Sequence, residues 1–223
     1  VVNIASLDAE IRKKSIAHII KAIDFSDEIG AKLYTFHPGF ITDPMGANLF
    51  ETNYDFQWDD KRLRNSNYEI AFKNLKTSLE LIIRHAEKRD TSIAFETEGS
   101  FLKKEHLLMQ RPEEYKELFK IFSPKQIGIS LNIGHLILAA KAFNFIIEDF
   151  INLIEDYIVS MELSHNNGIE DEHLPLRDNG WYWNLILDKR FNNSFKILEF
   201  RNTQIKDIKK TIKLFELKKK KYG

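Results

Sequence analysis

The chain has 223 residues, 43% hydrophobic and 30% charged, which is enough apolar material for one sizeable core. Lysine plus arginine equals aspartate plus glutamate at 33 each, so a formal net charge of zero gives no global drive toward nucleic acid or an anionic membrane. The absence of cysteine excludes disulfides, thiolate metal sites and cysteine nucleophiles, and fits a reducing cytoplasm.

Any metal must therefore be held by His, carboxylate, Asn, Gln or backbone oxygen. No apolar run approaches the roughly 20 residues of a membrane span, and no signal peptide is visible. The basic run Lys218–Lys221 reads as a solvated helix end, placed where it favours the C-terminal pole.

In chain order, Ile11, Ile16, Ile19, Ile20, Ile23 and Ile29 share a helical period over about 9–29, and Gly30 ends that helix. Lys32 to His37 reads as a strand stopped by Pro38-Gly39. A polar loop from Phe40 to about Arg64 carries Phe50, Tyr54, Phe56 and Trp58, and loops of this length are usually functional or disordered. A helix over about 66–88 leads to a strand at Thr91–Glu96, and a helix over 113–122 to a strand at Ile127–Asn132. A helix over 137–155 precedes a strand at Ile158–Ser164, then a polar loop from His165 to Gly180. A short helix over 181–188, a strand at Phe195–Phe200 and a helix over 203–217 complete the pattern.

Five strands alternating with helices predict parallel strands and βαβ units in one domain over 1–223. Right-handed crossovers can wind them into an open doubly wound sheet or a barrel. There is no glycine-rich dinucleotide loop and no Walker loop.

Side chains alternate faces along a strand. His37, Glu96, Asn132, Glu162 and Glu199 each fall near the end of one of the five strands, on one face. Ionised carboxylates are rarely buried without partners. In a barrel these positions converge on the C-terminal mouth, where active sites of that architecture lie; in an open sheet they would be strung along a line. The constellation favours the barrel.

Each motif carries a bland reading beside the functional one. His37 before Pro38-Gly39 is a metal ligand at a strand end, or a hydrogen-bonded His beside a turn. Glu96 closes an apolar run and reads as a ligand or proton carrier, whereas Glu98 reads as a solvent-facing loop charge. Asn132 and His135 are three apart and can serve neighbouring ligand positions, and Asn132 is also a good helix N-cap. Asp171 and His173, two apart in an extended loop, suit Zn or Mn, and are otherwise part of a solvated loop. Glu199 inside a hydrophobic strand needs a metal or Arg201 as partner.

Taken in order, His37-Pro38-Gly39, Phe95-Glu96-Thr97, Leu131-Asn132-Ile133-Gly134-His135, Asp171-Glu172-His173-Leu174-Pro175-Leu176 and Leu198-Glu199 resemble the xylose isomerase-like TIM-barrel superfamily over nearly the whole chain. That superfamily includes sugar and sugar-phosphate isomerases and epimerases and the family 2 apurinic endonucleases. The resemblance implies a (β/α)8 TIM-barrel type fold and a divalent metal: Zn, Mn or Mg. It assigns His37, Glu96, Asn132, His135, Glu162, Asp171, His173 and Glu199 as ligands. Where the family's central metal has Glu, Asp, His and Glu, this chain has Glu96, Asn132, Glu162 and Glu199, an oxygen-only set that favours Mg or Mn and reads equally as a weakened or lost site. The outer set His135, Asp171 and His173 is intact and suits Zn.

Only five strands appear against the family's eight, so the first two or three βα units are expected to be missing from this chain. An upstream segment or a partner is then expected to be needed to cover the strand edges. Three functions follow from the resemblance. The first is a metal-dependent sugar or sugar-phosphate isomerase or epimerase, with Glu96 and Glu199 transferring protons. The second is an apurinic-endonuclease-like phosphodiester hydrolase. The third is a non-catalytic barrel with a degenerate site. The expected partner is a small carbohydrate-like molecule rather than nucleic acid or membrane, with homo-oligomerisation an option and the aromatic loop, Trp181 and Trp183 walling the pocket.

Overall fold

The computed structural model describes residues 2–47, 56–58, 65–102 and 104–222. Helix α1 (Ala9–Glu28) begins where the Asp8 carboxylate accepts from the Glu10 and Ile11 amides at 2.8 and 3.2 Å, satisfying two donors that a helix N-terminus leaves orphaned. It buries Ile19 and Ile23, one turn apart, and Gly30 at φ +73° leads the chain out of it. Strand β1 (Leu33–Phe36), helix α2 (Asn65–Ala86), strand β2 (Ser92–Glu96), helix α3 (Pro112–Phe119) and strand β3 (Gly128–Asn132) follow.

The helix expected over 137–155 is two helices, α4 (Ile133–Phe143) and α5 (Ile147–Ile154). It starts earlier than the sequence pattern indicates because the Asn132 side chain caps it directly from the strand end. It breaks because Asn144 adopts the left-handed conformation at φ +53°. Strand β4 (Ile158–Leu163), the single turn α6 (Trp183–Ile186), strand β5 (Phe195–Leu198) and helix α7 (Ile205–Tyr222) complete the chain. A two-residue ribbon pairs Gly46–Ala47 with Phe56–Gln57.

The main sheet is wholly parallel, in the order β1-β2-β3-β4-β5. Sequential order without a reversal is the topology of a barrel; a doubly wound sheet would contain a switch point. The five strands curl into a half-barrel. Ile93, Phe95, Ile129, Leu131, Met161 and Leu163 join the apolar core, in which Tyr115 lies edge-on to Phe150 at 4.9 Å and Phe119 stacks on Tyr157 at 3.7 Å. The alternate residues, Ala94, Glu96, Ser130, Asn132, Ser160 and Glu162, face the barrel interior and are buried too. Register places Glu96 beside Ser130 and Asn132 beside Glu162, so the polar strand ends arrive at one level. Among the described residues β1 and β5 each have one strand neighbour, and Phe195 and Ile197 of β5 are exposed.

Candidate active site

The eight residues singled out in the sequence meet in one mouth and form a closed circuit of contacts. From His37 Nδ1 to Glu96 Oε2 is 3.4 Å, and from Glu96 Oε1 to Asn132 Nδ2 is 2.8 Å. Asn132 Nδ2 also lies 3.3 Å from Glu162 Oε2 and 2.9 Å from Glu199 Oε2. Glu199 Oε2 is 3.1 Å from His173 Nδ1, and His173 Nε2 is 2.9 Å from Asp171. Asp171 Oδ1 is 3.5 Å from His135 Nε2, and His135 Nδ1 returns to Glu96 Oε1 at 3.2 Å.

Two groups within this circuit have the compactness of ion-binding sets. The ligand atoms of His135, Asp171 and His173 lie within 4.8 Å of one another, as do those of Glu96, Glu162 and Glu199. The outer group fits a divalent ion. His135 Nδ1 donates to the Thr97 carbonyl at 2.9 Å, which orients the ring with Nε2 toward Asp171, and Nε2 would offer its lone pair to an ion that displaced its proton. His173 Nδ1 is buried without a hydrogen bond although Glu199 is close, an open valence in a polar site. Arg201 braces Asp171 from behind, its guanidinium 2.9 Å from Oδ2 and donating to the Asp171 carbonyl at 3.0 Å. Asn166 accepts the Glu172 and His173 amides at 2.9 Å, and His173 itself is held at φ +48°. A non-glycine residue in that region costs on the order of 1–2 kcal/mol, so the loop is built around the position of this ring.

The central group is different. Asn132 Oδ1 accepts the His135 amide at 3.1 Å as the cap of α4, so the amide nitrogen is the end that faces the three carboxylates. Turning the amide round would lose the cap, about 1 kcal/mol, and leave a buried amide N–H unpaired, about 1–3 kcal/mol more. The Asn132 backbone N–H is itself held by Thr97 Oγ1 at 2.9 Å.

These environments push proton affinities apart. Burial alone would raise Glu96, but His37 and His135, with the Asn132 amide, bring it down to about 2. Burial, then the neighbouring charges of Glu96 and Glu199, push Glu162 up to about 8, against the Ser130 hydroxyl that donates to it at 2.9 Å. Desolvation lowers His37, yet Glu98 and Glu96 outweigh it and lift the imidazole to about 10. Desolvation also opposes His173, which Asp171 and Glu199 raise to about 9, and His135, which Asp171 and Glu96 raise well above its usual range. Burial opposes ionisation of Asp171, but the two imidazoles hold its carboxyl far below the usual carboxylate range.

Three expectations are corrected. Glu98 is not a solvent-facing loop charge: it is buried, with Oε1 2.7 Å from His37 Nδ1. Arg201 partners Asp171 rather than Glu199, which faces His173 and Asn132. Trp183 packs into the core with Nε1 donating to the Arg177 carbonyl at 2.8 Å, so it does not wall the mouth. Trp58 stacks on His106 at 4.6 Å. Phe50, Tyr54 and the side chain of Phe56 lie outside the described residues. Sequence reasoning also missed Thr97 and Asn166, whose only signals were that Thr97 follows Glu96 and that Asn166 opens the loop carrying Asp171 and His173. Beside the mouth, a groove of about 530 Å³ runs between the 165–180 loop and the start of α7, lined by Glu170, Glu172, Leu174, Arg201 and Lys206 among others.

Sequential parallel strands with acid, imidazole and amide side chains gathered at their C-terminal ends define an α/β-barrel protein with a polar cluster where active sites of that architecture lie. The chain belongs to the xylose isomerase-like TIM-barrel family, whose model matches residues 1–217. An uncharacterized protein of Methanocaldococcus jannaschii is 26% identical over 212 residues, and the chain spans 64% of that relative's length. Among solved structures, a D-tagatose 3-epimerase-like protein superposes with a TM-score of 0.73 at 20% identity, covering all of this chain and 76% of that one. Endonuclease IV from Thermus thermophilus superposes with a TM-score of 0.68 at 15% identity, covering 99% and 73%. At these identities the structural likeness is one of fold, and the chain is a partial barrel relative to both.

Proposed function

We propose that the mouth carries out metal-dependent isomerisation or epimerisation of a carbohydrate-like substrate, a sugar or sugar phosphate. The observation that carries this reading is the pairing, within one mouth, of an ion-competent imidazole–carboxylate set with carboxyl groups of opposed proton affinity. His135, Asp171 and His173 would hold the divalent ion, with Zn best matched to two imidazoles and one carboxylate. When bound, such an ion polarises a substrate carbonyl and stabilises negative charge on its oxygen.

Within this reading Glu199 is the proton carrier at substrate. Its side chain is 41% exposed to the mouth and lies beside His173, so it can reach a carbon next to a carbonyl bound there. Glu96, the other member of the pair, is 9% exposed and engages His37, Asn132 and His135, so it acts by fixing those groups. Glu162, which burial and the charges of Glu96 and Glu199 keep protonated near neutrality, limits the negative charge beside Glu199. The test is turnover of a panel of ketoses, aldoses and their phosphates with Zn, Mn or Mg. Glu199→Gln should lower kcat by at least about a thousandfold with an unchanged circular dichroism spectrum; retained turnover would remove Glu199 from the chemistry.

A second reading, a phosphodiester hydrolase acting on abasic DNA, is favoured by the outer set and by the fold shared with the Thermus endonuclease. Against it stand the zero net charge and the altered centre. Strand cleavage of an abasic duplex by the zinc-loaded protein would move it to first place.

A further inference from the structure

Glu96, Glu162 and Glu199 bring oxygens within 4.8 Å of one another at the centre of the mouth, a crowding of carboxylates that a divalent cation would ordinarily explain. What stands among them is the amide nitrogen of Asn132, in contact with one oxygen of each. It has no freedom to leave. The residue is fully buried, its Oδ1 caps α4 through the His135 amide, and its backbone N–H is bound by Thr97 Oγ1. The remaining Glu162 oxygen accepts from Ser130 Oγ, which in turn accepts from Ser160 Oγ at 2.8 Å, so the cluster is closed by hydroxyl donors on its inner side.

We infer that the centre of the mouth is a metal-free carboxylate cluster, in which the Asn132 amide takes the place of a cation and no divalent ion binds. A cation needs lone pairs pointing inward, and Asn132 offers hydrogens instead. Replacing that NH2 by oxygen removes the donor and supplies a fourth oxygen ligand, so one substitution converts the cluster into a cage suited to Mn or Mg.

The inference is independent of whether the outer set binds metal, and its test removes that set. Mn2+ is titrated by electron paramagnetic resonance into the His173→Ala protein and into the His173→Ala/Asn132→Asp protein. The first should bind no ion at its centre, and the second should gain one equivalent per chain, at least about a hundredfold tighter than any residual association of the first. An equivalent bound with Asn132 intact and lost on adding Glu162→Gln overturns the inference. One that survives Glu162→Gln sits off the centre and agrees with it. A folded Asn132→Asp protein that gains no ion also overturns it, because the amide would then not be what excludes the cation. If Asn132→Asp does not fold, as judged by circular dichroism, Asn132→Asp/Glu162→His, with one carboxylate fewer at the centre, is titrated in its place with the same readings.

Discussion

Glu162 sits in the mouth with its carboxyl pushed from an ordinary 4.5 to about 8 by burial and by the charges of Glu96 and Glu199. Because the folded value is the higher one, the folded protein holds a proton there that the unfolded chain has already released. The associated stability is therefore complete below pH 4.5 and is lost as pH rises toward 8. Glu162→Gln keeps the shape and removes the titration. Relative to wild type it should gain on the order of a few kcal/mol of unfolding free energy between pH 4 and about 9, measured by denaturant titration at each pH without added metal. Parallel curves for the two proteins would mean that Glu162 is ionised in the folded state. At this scale much of the site was legible, because strand alternation places His37, Glu96, Asn132, Glu162 and Glu199 on one face without any knowledge of the fold. Glu98 was not, since a residue two past a strand end is free to turn either way. It turns inward here because His37 offers it a cationic partner at 2.7 Å. Nor could sequence tell that Asn132 presents nitrogen rather than oxygen, a choice made by its hydrogen bond to the His135 amide.

At the scale of elements, the site depends on how closely α4 approaches the loop after β2. A Cβ on Gly99 would lie 2.0 Å from the His135 carbonyl oxygen, a backbone atom that cannot yield without moving the first turn of α4. If the outer set holds zinc as proposed, Gly99→Ala should therefore weaken that binding by about tenfold, roughly 1.4 kcal/mol, and isothermal titration calorimetry reads this directly. Unchanged affinity would show that the turn can shift without disturbing His135. The end of α4 has its own requirement. Asn144 holds φ +53°, so Asn144→Gly should leave stability within a few tenths of a kcal/mol or raise it, while Asn144→Ile should cost about 1–2 kcal/mol in chemical denaturation. Equal effects of the two would place the break between α4 and α5 elsewhere. That break is what the periodicity of 137–155 concealed: apolar spacing continues across it, and only a backbone angle, which Asn tolerates better than most residues, marks the end.

For the whole molecule, alternation of strands and helices was enough to predict parallel βαβ units, and the convergence of polar strand ends was enough to choose a barrel over an open sheet. The sequential strand order agrees with that choice. If the outer set holds an ion, metal and fold are linked: zinc at a hundredfold excess over its Kd should raise unfolding free energy by roughly 3 kcal/mol, with a matching rise in Tm, and His173→Ala should abolish the rise. A wild-type Tm indifferent to zinc would remove the ion from the account. The reaction itself is tested most directly by solvent exchange. In D2O, with Zn or Mn supplied, the wild-type protein should move deuterium onto a carbon adjacent to the carbonyl of at least one sugar or sugar phosphate. The label, followed by mass spectrometry and proton NMR, should be absent with Glu199→Gln. No carbon-bound deuterium from any sugar in the panel, with metal shown to be bound, would contradict the proposal that this mouth is a proton-transfer site for carbohydrates.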